Sequence, residues 1–129
     1  NIIKMDYQIK VAVVGEYSTG KSSLVSRLCE KLPEENYTND VTVPTVGVGF
    51  HPKQMDIFLQ PHSSANRLKV NLFVWDTNGS EKYLSMVKPY FRDNAFVVIV
   101  FDVTNRKSFE RVDFWRQQVL DNDSRSDKP

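Results

Sequence analysis

The hydrophobic residues of this chain fall into continuous runs and helix-like stripes that follow one another along the sequence. Residues 9–14 end in the apolar run V-A-V-V, which is typical of a strand covered on both faces. A helix is predicted over residues 21–32, and Pro33 ends it because proline cannot continue the backbone hydrogen bonds. Its apolar stripe consists of Leu24, Val25, Leu28 and Leu32.

Two further strands are predicted on either side of a turn. Residues 34–44 are polar and predict a loop, residues 45–60 are rich in β-branched and aromatic side chains, and residues 61–66 predict the tip of a hairpin. Hydrophobic positions alternate over residues 68–75, so one face of this strand belongs to the core. That face carries Leu68, Val70, Leu72 and Val74, and the opposite face carries Lys69, Asn71, Phe73 and Trp75.

The longest apolar run covers residues 95–103 and predicts a central parallel strand buried on both sides. Asn105 is placed to cap the helix that follows. The apolar side of this helix is formed by Phe109, Val112, Trp115 and Val119. Its solvated side is formed by Arg106, Lys107, Glu110, Arg111 and Asp113.

Strands and helices in this order predict an α/β fold. We expect a mostly parallel sheet with helices on both faces, in which the hairpin over residues 45–75 supplies one antiparallel edge strand. With 129 residues the chain has room for one domain. Ligands of such sheets bind at the carboxyl ends of the strands.

The first strand leads into the sequence G-E-Y-S-T-G-K-S at residues 15–22. This spacing is that of a phosphate-binding loop, in which glycines let successive backbone N–H groups surround the phosphates. Lys21 would reach the β- and γ-phosphates, and Ser22 would offer its hydroxyl to Mg²⁺. The same pattern arises by chance in ordinary glycine loops, but a strand before it and a helix after it favour phosphate binding.

Composition narrows the class of protein further. Lysines and arginines number 17 against 16 acidic residues, so no basic excess indicates nucleic acid or an anionic membrane as a partner. The single cysteine, Cys29, lies beside Leu28, which favours a buried apolar role over reactivity. No apolar run approaches the roughly 20 residues of a membrane span, and no signal-peptide pattern is present. We therefore expect a soluble cytoplasmic domain.

A second group of polar residues follows the predicted hairpin. The segment W-D-T-N-G-S-E at residues 75–81 places Asp76 where a carboxylate would reach Mg²⁺ beside the phosphates. Together with P-T-V-G at residues 44–47 and F-D-V-T-N-R-K-S-F at residues 101–109, this order resembles the Ras superfamily of small GTPases and, within it, the Rab branch. The resemblance covers nearly the whole chain.

The resemblance implies a switch protein that binds GTP or GDP with Mg²⁺. Thr45 would join Ser22 on the metal, and Asp76 would hold a metal-bound water. The N–H of Gly79 would bond the γ-phosphate, so that two switch loops stay ordered only while this phosphate is present. The implied nucleotide contacts are Gly15, Tyr17, Ser18, Thr19, Gly20, Lys21, Ser22, Ser23, Thr45 and Gly79.

The positions implied for hydrolysis are Lys21, Thr45 and Ser80. Ser80 stands where typical relatives carry the glutamine that orients the attacking water, and a serine hydroxyl is too short for that role. Tyr17 is bulkier than the residue usual at its loop position and would crowd the γ-phosphate or an incoming arginine finger. Slow, poorly stimulated hydrolysis is therefore expected.

Three aromatic residues match an aromatic triad that Rab-like proteins carry beside the switches, namely Phe50, Trp75 and Tyr90. Exposed aromatic side chains at such a place suit the anchoring of effector and regulatory proteins. The alternative is that they pack beneath the switch loops and touch no partner.

Other elements of the resembled family are not found. Neither the N-K-x-D element that reads guanine nor the S-A-K element is present, Tyr37 is only a candidate for stacking on the base, and no C-terminal cysteine for prenylation is seen. We expect an incomplete G domain over residues 1–129 that runs through the third helix and lacks the last strands and helices. Without them, or a partner, residues 95–103 would form an exposed apolar edge.

Three functions follow from these observations. The favoured one is a Rab-like switch in membrane trafficking, cytoplasmic or on the cytosolic face of membranes, that recruits partners when it holds GTP. The second is a nucleotide-binding adaptor that no longer cycles and presents its aromatic face constantly. The third is a phosphate-loop ATPase or kinase, because no base-reading motif is visible.

Overall fold

The structure is a computed structural model that describes residues 6–29, 47–58 and 67–124. Its first elements are strand β1 (Asp6–Gly15), helix α1 (Lys21–Cys29), strand β2 (Val48–Phe58) and strand β3 (Arg67–Thr77). A 3₁₀ turn (Glu81–Tyr83), helix α2 (Leu84–Val87), a second 3₁₀ turn (Lys88–Phe91), strand β4 (Phe96–Val100), helix α3 (Arg106–Glu110) and helix α4 (Val112–Asn122) follow. The predicted loop over residues 34–44, the hairpin tip, Tyr37 and Thr45 lie outside the described residues.

The described strands form one sheet in the order β2-β3-β1-β4. Strand β1 pairs in parallel with β3 and with β4, whereas β2 pairs antiparallel with β3. This confirms the predicted mostly parallel sheet with one antiparallel edge strand. The carboxyl ends of β1, β3 and β4 therefore meet at one edge of the sheet, where the predicted phosphate loop begins.

Successive side chains of β1 point to opposite faces of the sheet, and each face carries its own hydrophobic core. The first core cluster packs α2 and α4 on one face and consists of Ala12, Val14, Val87, Phe91, Trp115 and Val119. The second packs α1 on the other face and consists of Val13, Val25, Val74 and Val100. Helices thus cover both faces, as the sequence predicts.

The orientation of α1 differs from the prediction. Val25 is buried and Cys29 packs half-buried against the same cluster, whereas Leu24 and Leu28 are exposed. Because residues four apart lie on one side of a helix, the Val25–Cys29 row faces the sheet and the Leu24–Leu28 row turns away from it. The expected apolar role of Cys29 is thereby confirmed, although its burial is partial.

The prediction that residues 95–103 form a central, doubly buried strand is wrong for the described chain. Strand β4 spans only Phe96–Val100 and lies at the edge of the described sheet, because β1 is its one partner there. Phe96 and Val98 are exposed, as are Phe101 and Val103 beyond the strand. The structure instead matches the other expectation, that these residues form an exposed apolar edge when no further strand or partner covers them.

The predicted helix after residue 105 is divided into α3 and α4 at Arg111. Trp115 and Val119 are buried as predicted, but Phe109 is exposed and its ring packs edge-on against that of Phe101. Asn105 occupies the N-cap position without a side-chain capping bond. The Ser108 hydroxyl instead joins the turn by accepting from the Asp102 N–H at 2.9 Å and donating to the Asn105 carbonyl at 2.7 Å.

Because the β4 edge of the described sheet is exposed, a protein made of residues 1–129 alone should self-associate through strand pairing. Val98→Lys should reduce it, because a lysine on an edge strand opposes pairing with a second sheet. Sedimentation velocity over a range of concentrations measures the effect. Leu24→Lys is the matched control, since Leu24 is similarly exposed, at 55% against 46% for Val98, but lies on α1. A wild-type protein that stays monomeric and unfolds cooperatively would contradict the prediction.

Candidate functional site

The phosphate loop starts where β1 ends, and its geometry requires glycine there. Gly15 has a φ of 144°, a conformation that residues with a side chain rarely adopt. A Cβ at this position would lie 2.2 Å from the backbone oxygen of Val100, its register partner on β4. The close approach of two parallel strands thus fixes the first residue of the loop.

Lys21 is buried at the start of α1 and holds the loop together. Its ammonium group donates to the carbonyl oxygen of Glu16 at 2.6 Å and approaches the hydroxyl of Thr19 at 3.5 Å. The Thr19 hydroxyl donates to the same carbonyl at 2.9 Å. Burial lowers the pKa of Lys21, while the nearby carboxylates of Asp76 and Glu16 act in the opposite direction. The site therefore keeps a poorly solvated cation, which suits an anionic ligand.

The two predicted magnesium ligands that the structure describes, Ser22 and Asp76, are in contact. Asp76 is buried, and its pairing with Val13 in the parallel register places it beside the loop. The Ser22 hydroxyl donates to Asp76 Oδ2 at 2.5 Å. A hydroxyl and a carboxylate are hard oxygen donors of the kind that Mg²⁺ binds alongside waters and substrate phosphates. The donor set fits the ion, and the third predicted ligand, Thr45, lies outside the described residues.

Gly79 lies directly against the phosphate loop. A Cβ there would come within 2.5 Å of the Gly15 carbonyl oxygen and 2.6 Å of Lys21 Nζ. The turn is held by the Asn78 side chain, whose oxygen accepts from the Ser80 N–H at 2.7 Å. Ser80 occupies the N-cap position of the following 3₁₀ turn and makes no side-chain capping bond. The structure therefore brings together the loop lysine and the glycine predicted to sense the γ-phosphate.

The remaining predicted nucleotide contacts in and next to the loop are Tyr17, Ser18, Thr19, Gly20 and Ser23. Ser18, Gly20 and Ser23 are exposed, and Thr19 is half-buried. Tyr17 is 48% exposed, so its ring does not fill the interior of the loop. Ser18 has a φ of 58°, a left-handed conformation that glycine adopts more readily. The motif requires glycine only at positions 15 and 20, so the sequence did not predict a left-handed conformation at Ser18.

The three predicted partner-surface aromatics form a continuous cluster. The ring centroids of Phe50 and Trp75 are 4.7 Å apart, and those of Trp75 and Tyr90 are 4.9 Å apart. The antiparallel register makes this contact possible, because Phe50 and Trp75 are cross-strand partners. Phe73 extends the cluster, with its ring 5.8 Å from that of Phe50. Phe50 is exposed, whereas Trp75 and Tyr90 are half-buried, so the cluster both packs and reaches the surface.

A charged network at the side of the loop was not predicted. Arg111 was assigned to a solvated helix face, yet its Nε donates to Glu16 Oε2 at 3.1 Å and its Nη2 pairs with Glu81. The indole N–H of Trp115 donates to the same Glu16 oxygen at 3.3 Å. These partners are far apart in the sequence, so no local pattern could have revealed the network.

None of the helices in the described ranges is long and apolar enough to cross a membrane. A glycine-containing loop between a parallel strand and a helix, with a buried lysine and a serine paired with an aspartate, defines a phosphate-loop nucleotide-binding domain. The family model described as Ras family matches residues 10–128. The chain belongs to the Ras family.

Its curated relatives include Ras-related Rab proteins from animals. The chain is 36% identical over 113 residues to Ras-related protein rab-39 of Caenorhabditis elegans, which covers 88% of this chain and 44% of the relative. It is 33% identical to Ras-related protein Rab-42 and 34% identical to Ras-related protein Rab-21 of Mus musculus, covering 88% of this chain and 49% and 45% of those proteins. The chain is thus Rab-like and spans about half the length of these relatives.

The buried cation predicts opposite effects of Lys21→Met on stability and binding. Because the pKa of Lys21 is lowered by burial, the unfolded chain holds this proton more tightly, and the lysine's contribution to stability rises with pH just below its ordinary pKa. Methionine removes the buried charge, so we expect a higher melting temperature without nucleotide and a flatter dependence on pH in that window. Phosphate affinity should fall about ten- to hundredfold, as for the loss of a charged hydrogen bond.

Calorimetric melting across alkaline pH and titration with GDP measure the two effects. Lys107→Met, on the exposed surface of α3, is the matched control and should change neither. A lower melting temperature of Lys21→Met at every pH would contradict the first effect, and unchanged affinity would contradict the second.

Proposed function

We propose that this protein is a Rab-like small GTP-binding protein that acts as a nucleotide-dependent switch and recruits partner proteins in membrane trafficking. The observation that carries the proposal is the convergence of Lys21, the Ser22–Asp76 pair and Gly79 at one edge of the sheet. Membership in the Ras family supports guanine nucleotide with Mg²⁺ as the ligand. The cytoplasm and the cytosolic face of membranes are the locations consistent with this role.

Each part of the site has a role in this proposal. Backbone N–H groups of the loop and the Lys21 ammonium bind the phosphates. Ser22, Asp76 and Thr45 would hold Mg²⁺, directly or through water, and the bound ion would supply positive charge that stabilises the phosphates. Gly79 lies beside Lys21, and its N–H is the group proposed to bind the γ-phosphate. Loss of that phosphate removes the contact and releases the segment.

Hydrolysis is proposed to be slow because the residue after Gly79 is a serine. The Ser80 backbone is fixed by Asn78, and its short side chain cannot extend over an attacking water as the glutamine of typical relatives does. Tyr17 adds a half-exposed ring at the loop, where it would obstruct an arginine finger supplied by another protein. Both features lower the rate of return to the diphosphate state.

The cluster of Phe50, Trp75 and Tyr90 is the proposed surface for effector and regulatory proteins. Trp75 immediately precedes Asp76, and Phe50 lies on the strand beside it, so the cluster adjoins the segment that would change with the nucleotide. Aromatic side chains that are partly packed and partly exposed lose little conformational entropy on binding. A non-cycling adaptor would use the same surface, but the intact Lys21 and Ser22–Asp76 arrangement favours a protein that binds and senses nucleotide.

The first prediction of this proposal is that the purified protein carries guanine nucleotide. Denaturing the protein and identifying the released small molecules by mass tests it, and GTP in excess of GDP is expected because hydrolysis is slow. Lys21→Met should release neither. An adenine nucleotide would instead support the hypothesis of a phosphate-loop ATPase or kinase. An empty site in protein purified with excess Mg²⁺ and GTP would favour the adaptor.

The second prediction concerns the rate of hydrolysis. In single-turnover assays the wild-type rate should fall below that of an ordinary small GTPase, which is on the order of 10⁻⁴ s⁻¹. Ser80→Gln should raise it about tenfold, because the longer amide reaches the attacking water. Ser80→Ala is the control and should leave the rate unchanged. A wild-type rate in the ordinary range would show that serine at this position does not limit the reaction.

A further inference from the structure

Within the described residues, Glu16 of the phosphate loop accepts four hydrogen bonds. Its carbonyl oxygen accepts from Lys21 and from Thr19, at 2.6 Å and 2.9 Å. Its carboxylate points the other way and accepts from Arg111 Nε at 3.1 Å and from the buried Trp115 indole at 3.3 Å. Glu16 is therefore held on one side by hydrogen bonds within the loop and on the other by Arg111 and Trp115.

Arg111 extends this arrangement to the segment after Gly79. Its Nη2 pairs with Glu81, two residues beyond Gly79, while its Nε stays on Glu16. The guanidinium carbon also lies 3.7 Å from the centroid of the Phe114 ring, which holds the planar group in place. A guanidinium offers several donors in one rigid plane, so a single side chain can bind both carboxylates.

We propose, on the basis of the function proposed above, that Arg111 is a positioning residue that holds the Gly79–Glu81 segment against the phosphate loop and thereby favours nucleoside triphosphate over diphosphate. Gly79 lies close to Lys21 Nζ, the group that would meet the γ-phosphate. A segment already held there loses less conformational freedom when that phosphate binds. A nucleoside diphosphate has no γ-phosphate to contact this segment, so the restraint does not raise its affinity.

The two arms of Arg111 have different expected effects. The Glu81 arm is largely exposed, with 60% of the Glu81 side chain accessible, so its loss should change the triphosphate affinity about two- to fivefold and leave the diphosphate affinity unchanged. The Glu16 arm is less exposed, at 24% for the Glu16 side chain, and it positions the loop itself. Its loss should weaken binding of both nucleotides by a similar factor.

The experiment measures the affinities of GDP and of a non-hydrolysable GTP analogue for the wild type and for single-residue variants. Glu81→Gln should lower the preference for the triphosphate, and Arg111→Gln should lower it equally while also weakening both affinities. The double variant should show no further loss of preference than Arg111→Gln alone, because both changes break the same pair. Arg111→Lys should keep only part of the preference, since an ammonium is a point charge without the planar fork.

The matched control is Arg106→Gln, which removes an arginine from the exposed Arg106–Glu110 pair on α3. It changes the net charge as Arg111→Gln does and should leave both affinities unchanged. Thermal unfolding identifies any variant that fails to fold, and Glu81→Gln, at an exposed position, tests the proposal without Arg111 being altered. A preference unchanged in Glu81→Gln, or changed equally in Arg106→Gln, would overturn the role of Arg111. A wild type that binds neither nucleotide would overturn the proposed function itself.

Discussion

The register of β1 against its two parallel neighbours is the constraint on which the site depends. Val13 pairs with Asp76 on β3, and Gly15 pairs with Val100 on β4. A slip of one residue would turn every side chain of a strand to the opposite face, which would take Asp76 away from Ser22. The hydrophobic side chains of β1 that fill the two cores fix this register, so core packing and the chemistry of the site cannot vary independently.

Electrostatics at the loop is balanced around one poorly solvated cation. Lys21 is buried near the carboxylates of Asp76 and Glu16, and desolvation is the largest influence on its pKa. Burying a charged group costs folding free energy, which nearby opposite charges offset in part. Glu16 contributes twice, since its carbonyl binds Lys21 and its carboxylate binds Arg111. The desolvation of Lys21 thus outweighs the favourable effect of its two neighbouring carboxylates.

The sequence predicted those parts of the fold and site that depend on local pattern. The loop spacing located Lys21 and Ser22, and strand alternation placed Trp75 on the face away from the core, where the aromatic cluster is found. The rotation of α1 was missed because Leu24 and Val25 are both apolar, so two helical rows competed for the sheet. Arg111 was missed because its carboxylate partners come from distant parts of the chain, and a helical charge pattern cannot distinguish a solvated arginine from a bridging one.

The placement of the two tryptophans gives the molecule two natural optical reporters. The Trp115 indole is buried and donates to the Glu16 carboxylate, so we expect its ultraviolet emission to respond to the charge and position of the phosphate loop. The Trp75 indole lies between the rings of Phe50 and Tyr90 and senses the aromatic surface instead. With no other tryptophan in the sequence, replacing one leaves the other as a single-site fluorophore. Events at the loop and at the aromatic surface thereby become separable in time without an attached dye.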